Sequence, residues 1–89
     1  MWYAIITNPF SGKMTADQKQ KVLANAAKIL DAKIYGLDIL TTDDFTQCGR
    51  ELATHCDVLV TAGGDGTFSE IINAIDTANT TIAHLLLGT

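Results

Sequence analysis

Asp57-Val58-Leu59-Val60-Thr61-Ala62-Gly63-Gly64-Asp65-Gly66-Thr67-Phe68-Ser69-Glu70 is the stretch from which the rest of the chain is read. Its first six residues form a nearly continuous apolar run, which suits a strand covered on both faces of a parallel sheet. Three glycines within four residues then leave the main chain bare, and Ile71, Ile72 and Ile75 resume at helical spacing. Bare backbone N–H groups at a helix start approach an anion closely, and the helix dipole favours one there. The segment therefore reads as strand, anion cradle and helix. It is not a GxxxxGK[ST] loop, and Ser69 stands where a GxGxxG loop would need its last glycine.

Asp65 inside such a cradle repels phosphate unless it meets a cation, a sugar hydroxyl or a transferable proton, so it points to metal-nucleotide chemistry. Thr67 can cap the helix or donate to phosphate. The plainer reading makes Gly63 to Gly66 a tight turn with Asp65 as a solvated or capping residue.

Toward the N-terminus, Trp2 to Thr7 is a short aromatic and β-branched run that stops at Asn8-Pro9-Phe10-Ser11-Gly12, a strand followed by a loop. Thr15-Ala16-Asp17-Gln18 has capping-box form, and Val22, Leu23, Ala26, Ala27 and Leu30 keep helical spacing, which predicts a helix from about Thr15 to Asp31. Ile34 to Thr41, broken by Gly36, predicts a second strand. Thr42 is expected to cap the helix that carries Phe45, Cys48, Leu52 and Ala53 behind the acidic turn Asp43-Asp44. Thr81 to Leu87 predicts a fourth strand, after which Gly88-Thr89 should begin another loop.

Strand and helix thus alternate, and the expected fold is α/β: an open, mostly parallel sheet with helices on both faces. In such sheets ligands bind beyond the carboxyl ends of the strands. Asn8 to Lys13, Thr41-Thr42, Gly63 to Thr67 and Gly88-Thr89 all fall at that edge.

The 89 residues and 47% hydrophobic content fit one domain. A formal charge of −4 without a basic cluster argues against nucleic acid and against charge-driven docking on anionic lipid. No apolar run approaches the about 20 residues of a membrane-spanning helix. Met1 to Ile6 lacks the pattern of a secretory signal, and two cysteines are too few to staple a secreted scaffold, so a reducing, cytoplasmic setting is expected. Cys48 and Cys56 read as buried free thiols.

With these motifs in hand, the chain resembles the diacylglycerol kinase catalytic domain family, which also includes sphingosine kinases and bacterial lipid kinases. Gly63-Gly64-Asp65-Gly66-Thr67 with Glu70 and Asn73 is similar to that family's hallmark loop. Asn8-Pro9-Phe10-Ser11-Gly12-Lys13 is similar to the NPxSGK element of its lipid-kinase branch, and Gly88-Thr89 to the start of its GTxND element. Leu86 departs from the pattern, since the family usually carries Pro there.

The resemblance implies that residues 1–89 are the N-terminal nucleotide-binding part of a longer lipid kinase, whose second, β-rich domain forms the lipid side of the cleft. It implies ATP and Mg²⁺ as cofactors, with Asn8, Pro9, Phe10, Ser11 and Gly12, Gly64, Asp65, Gly66, Thr67, Phe68, Ser69 and Glu70, Thr42 (or Thr41) and Thr89 around the nucleotide. Asp65 would be the catalytic group and would organise the metal, directly or through water, and the γ-phosphate. That phosphate would pass to a lipid hydroxyl of the diacylglycerol type, with the general base outside this chain and peripheral membrane contact as a further expectation. The chain alone would be inactive.

Two alternatives stand beside it: a non-catalytic nucleotide-binding or dimerising α/β module, and a relative of the NAD kinases, which generally lack the NPxSGK element. A last strand without its covering helix would expose apolar surface, so self-association into a homo-oligomer is expected. His84 reads as a satisfied interior histidine, His55 as exposed at a helix end, and Trp2, Tyr3, Phe45 and Phe68 as packing residues. Lys13 reads as a phosphate neutraliser or as the start of a solvated helix.

Overall fold

The computed structural model describes residues 2–8, 15–37, 41–75 and 78–86. Among these the order is β1 (Tyr3–Thr7), α1 (Ala16–Leu30), β2 (Lys33–Tyr35), α2 (Thr42–His55), β3 (Val58–Gly63), α3 (Asp65–Ala74) and β4 (Thr81–Leu86). The strands form one sheet in the order β2-β1-β3-β4, with every pairing parallel. The expected α/β class holds, and the described sheet is wholly parallel.

Alternation along the strands sorts side chains onto two faces. Ile5 of β1 and Val60 and Ala62 of β3 pack with Leu23 of α1 on one side. Ala4, Ile6 and Leu59 pack with Phe45 and Leu52 of α2 and Ile71 of α3 on the other. Helices therefore cover both faces, as right-handed crossovers require when the chain first steps one way from β1 to β2 and then the other way to β3 and β4. Each fully buried Leu, Ile or Phe contributes about 1.5 to 3 kcal/mol. Where α2 meets α3, Gly49 makes room: a Cβ there would lie 2.6 Å from the Ile71 Cδ1.

The helix ends follow their sequence signals. Thr15 caps α1, its Oγ1 accepting from the Gln18 N–H at 3.1 Å while the Gln18 side chain accepts from the Thr15 N–H at 2.9 Å. Asp31 closes the helix in the left-handed conformation at φ 53°, one of the few residue types that tolerates it. For α2 the cap is Thr41, whose Oγ1 accepts from the Asp44 N–H at 3.1 Å; the expected cap, Thr42, is the first helical residue instead.

Four further expectations are corrected. The second strand is three residues long because Gly36, at φ +100°, turns the chain directly against Thr7; Ile39 and Leu40 lie outside the described residues. Val22 is 47% exposed, since the buried stripe of α1 centres on Leu23. Trp2 is also exposed, although its carbonyl accepts from the Asp57 N–H at 2.8 Å. Cys48 and Cys56 are free but only half-buried, and desolvation pushes the Cys56 thiol above its usual pKa. No helix among the described residues is long and apolar enough to cross a membrane.

Candidate functional site

β1 and β3 lie side by side in the sheet, but the chain leaves their carboxyl ends toward opposite faces, into α1 and α3 respectively. Such a reversal opens a crevice at the sheet edge. The register pairs Thr7 with Ala62, so Asn8 and Gly63 are the next residues on the two adjacent strands. The Thr7 hydroxyl donates to the Ala62 carbonyl at 3.0 Å and ties these ends together. Asn8 is 4% exposed.

On the β3 side, Gly63 turns at φ +149°, and a Cβ there would stand 2.8 Å from the Thr67 Oγ1. Thr67 is buried under this turn, so its hydroxyl is neither the helix cap nor presented outward. Gly64 is the N-cap and supplies no side-chain hydrogen bond to α3. The N-cap thus offers no side-chain acceptor to the start of α3, at the end where the helix dipole is positive. Gly66 is exposed, and a Cβ built on it would meet none of the described residues within 4 Å beyond its own helix backbone. Space over bare main chain is what an anion approaching those amides requires.

Asp65 is exposed in the same turn, while Ser69 is exposed farther along the helix. Phe68 lies against the His84 ring, centroids 5.0 Å apart, so its role here is packing on β4. Glu70 is half-buried, and its Oε2 is buried without a hydrogen-bond partner among the described residues. Among the described residues no group of three His, Cys, Asp or Glu side chains could hold a metal ion. Pro9, Phe10, Ser11, Gly12, Lys13 and Thr89 lie outside the described residues, and of Thr42 only the backbone is described.

His84 is not the satisfied interior residue expected. Its Nδ1 lies 2.7 Å from the Thr61 Oγ1, whereas its Nε2 is buried without a partner among the described residues. His55 is exposed in the last turn of α2, as expected.

A residue the sequence reading passed over belongs to this edge. Lys19, in the second turn of α1, is 2% exposed, and its Nζ donates to the Asn8 carbonyl at 2.5 Å. Desolvation holds its ammonium below the usual lysine pKa. The signal was available: Lys19 precedes Leu23 by four residues and so falls on the buried stripe of the helix. A separate cavity, lined by Arg50, Ala53, Thr54, Ile75, Asn79 and Thr80, opens at the opposite, amino edge of the sheet.

The family described as the diacylglycerol kinase catalytic domain matches residues 3–89. No curated protein matches the chain. Among solved structures, a diacylglycerol kinase from Bacillus anthracis str. Sterne is 27% identical with a TM-score of 0.70 over 99% of this chain. Two further structures from that organism, assigned as diacylglycerol kinases, give TM-scores of 0.77 and 0.73 at 24% and 27% identity. The chain spans 31% of the length of each.

Proposed function

This chain belongs to the diacylglycerol kinase catalytic domain family, and from that premise we propose that it is the N-terminal, nucleotide-binding part of a lipid kinase that transfers the γ-phosphate of ATP to the hydroxyl of a diacylglycerol-type acceptor. One observation carries the reading. The bare, side-chain-uncapped start of α3 and the Asn8 end of β1 meet at the switch point of a parallel sheet, with open space over Gly66.

The donor set fits a triphosphate. Backbone N–H groups at a helix start bind phosphate oxygens without bringing in a charged side chain. Phosphoryl transfer depends mainly on positioning and on stabilising charge over the equatorial oxygens, which fixed amides supply without reorganising. The set also fits magnesium, since that ion is commonly held by one or two carboxylates together with the substrate's phosphates. Asp65 is the carboxylate this chain offers, and the ion would neutralise charge on the β- and γ-phosphates. Asn8 and residues 9–12, Thr42 or Thr41, Glu70 and Thr89 complete the proposed nucleotide site. The general base and the residues that grip the lipid are assigned to a β-rich domain beyond this chain, and contact with the membrane surface would be made there.

The test is phosphorylation of diacylglycerol by the gene product that carries this chain, with Asp65→Ala as the variant. Turnover is expected to fall at least about a hundredfold, the scale of losing one transition-state charge contact. Undiminished turnover in the variant would remove Asp65 from the proposed role, and a wild-type protein that moves no phosphate to lipid would remove the function.

A further inference from the structure

We infer that Lys19 is a positioning residue for the nucleotide site, holding the Asn8 end of β1 in register with the glycine turn of β3. The inference rests on the nucleotide-binding reading given above and adds to it a residue outside the three sequence motifs.

A lysine is almost never fully buried unless its ammonium has a partner. Lys19 is 2% exposed, and its Nζ reaches back across eleven positions to the Asn8 carbonyl. That carbonyl belongs to the first residue beyond β1, opposite Gly63. Engaged by a buried ammonium, it cannot rotate without giving up that charged hydrogen bond. The orientation of the Asn8 peptide is thereby tied to α1, whose own start is fixed by the Thr15 capping box.

Three contacts then brace the switch point from three elements. Lys19 holds Asn8 from α1, the Thr7 hydroxyl holds the Ala62 carbonyl between β1 and β3, and Gly36, in the turn after β2, passes so close to Thr7 that a Cβ there would collide with its carbonyl. Packing alone does not explain the ammonium. Leucine or methionine would fill the same position in the stripe without desolvating a charge, and replacing buried ionic groups by apolar ones is often neutral or stabilising. The charge is what a site for a polyanion would use, and the carbonyl contact is what aligns its first residue.

The experiment is equilibrium binding and steady-state kinetics with magnesium-ATP on the gene product that carries this chain, comparing wild type, Lys19→Met and Lys19→Arg. Lys19→Met keeps the length and removes the donor and charge. Its dissociation constant and KM for ATP are expected to rise about tenfold, the lower end of losing one charged hydrogen bond, while the KM for lipid and the melting temperature stay at wild-type values. Lys19→Arg, which restores donor and charge, should remain within about threefold of wild type in ATP affinity. Unchanged ATP binding in a folded Lys19→Met protein would overturn the inference and leave the kinase reading standing. Parallel loss of melting temperature and affinity in both variants, or failure of Lys19→Met alone to fold, would assign Lys19 to stability only and overturn it too. Absence of ATP binding in the wild type tells against the nucleotide reading itself and is seen before any variant is compared.

Discussion

Gly36 and Gly66 both stand at the carboxyl edge of the sheet, one in the turn after β2 and the other in the first turn of α3, yet the protein surrounds them in opposite ways. Around Gly36 there is no room: a Cβ would lie 2.1 Å from the Thr7 carbonyl oxygen, and the backbone is already at φ +100°. A Cβ on Gly66 would meet, beyond its own helix backbone, none of the described residues within 4 Å. The first glycine is demanded by the fold, because another backbone occupies the space. The second answers to no neighbour in the described protein, and in the middle of a helix turn it even forgoes some helix stability. Gly63 lies between these cases, its missing Cβ filled by the Thr67 side chain from within the cradle.

That contrast can be broken by substitution. Gly36→Ala is expected to destabilise the protein by about 3 kcal/mol, combining overpacking with backbone strain, and to lower the midpoint of urea unfolding at an unchanged slope. A variant as stable as wild type would mean that the turn after β2 does not brace Thr7. Gly66→Ala is expected to move stability in the other direction, by up to about 1 kcal/mol, because alanine is the better helix former. Its affinity for magnesium-ATP should nonetheless fall about tenfold, as the new methyl group holds phosphate away from the amides; that factor corresponds to about 1.4 kcal/mol. Equal ATP affinity in the two proteins would place the phosphates elsewhere.

The layered order of the fold was legible because each signal was local. The apolar run of β3 required cover on both faces, the Thr15 to Gln18 box marked the start of α1, and the Gly63 to Gly66 turn marked the start of α3. What escaped was decided by long-range contacts. Ile34 to Thr41 has the composition of a longer strand, but Gly36 meets the Thr7 carbonyl across the sheet, and no local pattern announces that meeting. Thr41 and Thr42 are interchangeable as residue types; the choice between them depends on which backbone turns first into the helix. Lys19 was passed over because its chemical class says surface, whereas its position on the stripe with Leu23 says core. Geometry sided with position. Of the motifs legible as text, Asn8 and Gly63 through Glu70 lie among the described residues, and Lys19 stands beside Asn8.

The central claim is that the main-chain amides at the β1/β3 switch point receive the phosphates of ATP. Amide resonance shifts on titrating the protein with magnesium-ATP test it residue by residue. The largest shifts are expected on Asn8 and on Gly63 through Thr67. Shifts gathered instead around Arg50, Thr54, Asn79 and Thr80, at the opposite edge of the sheet, would contradict it.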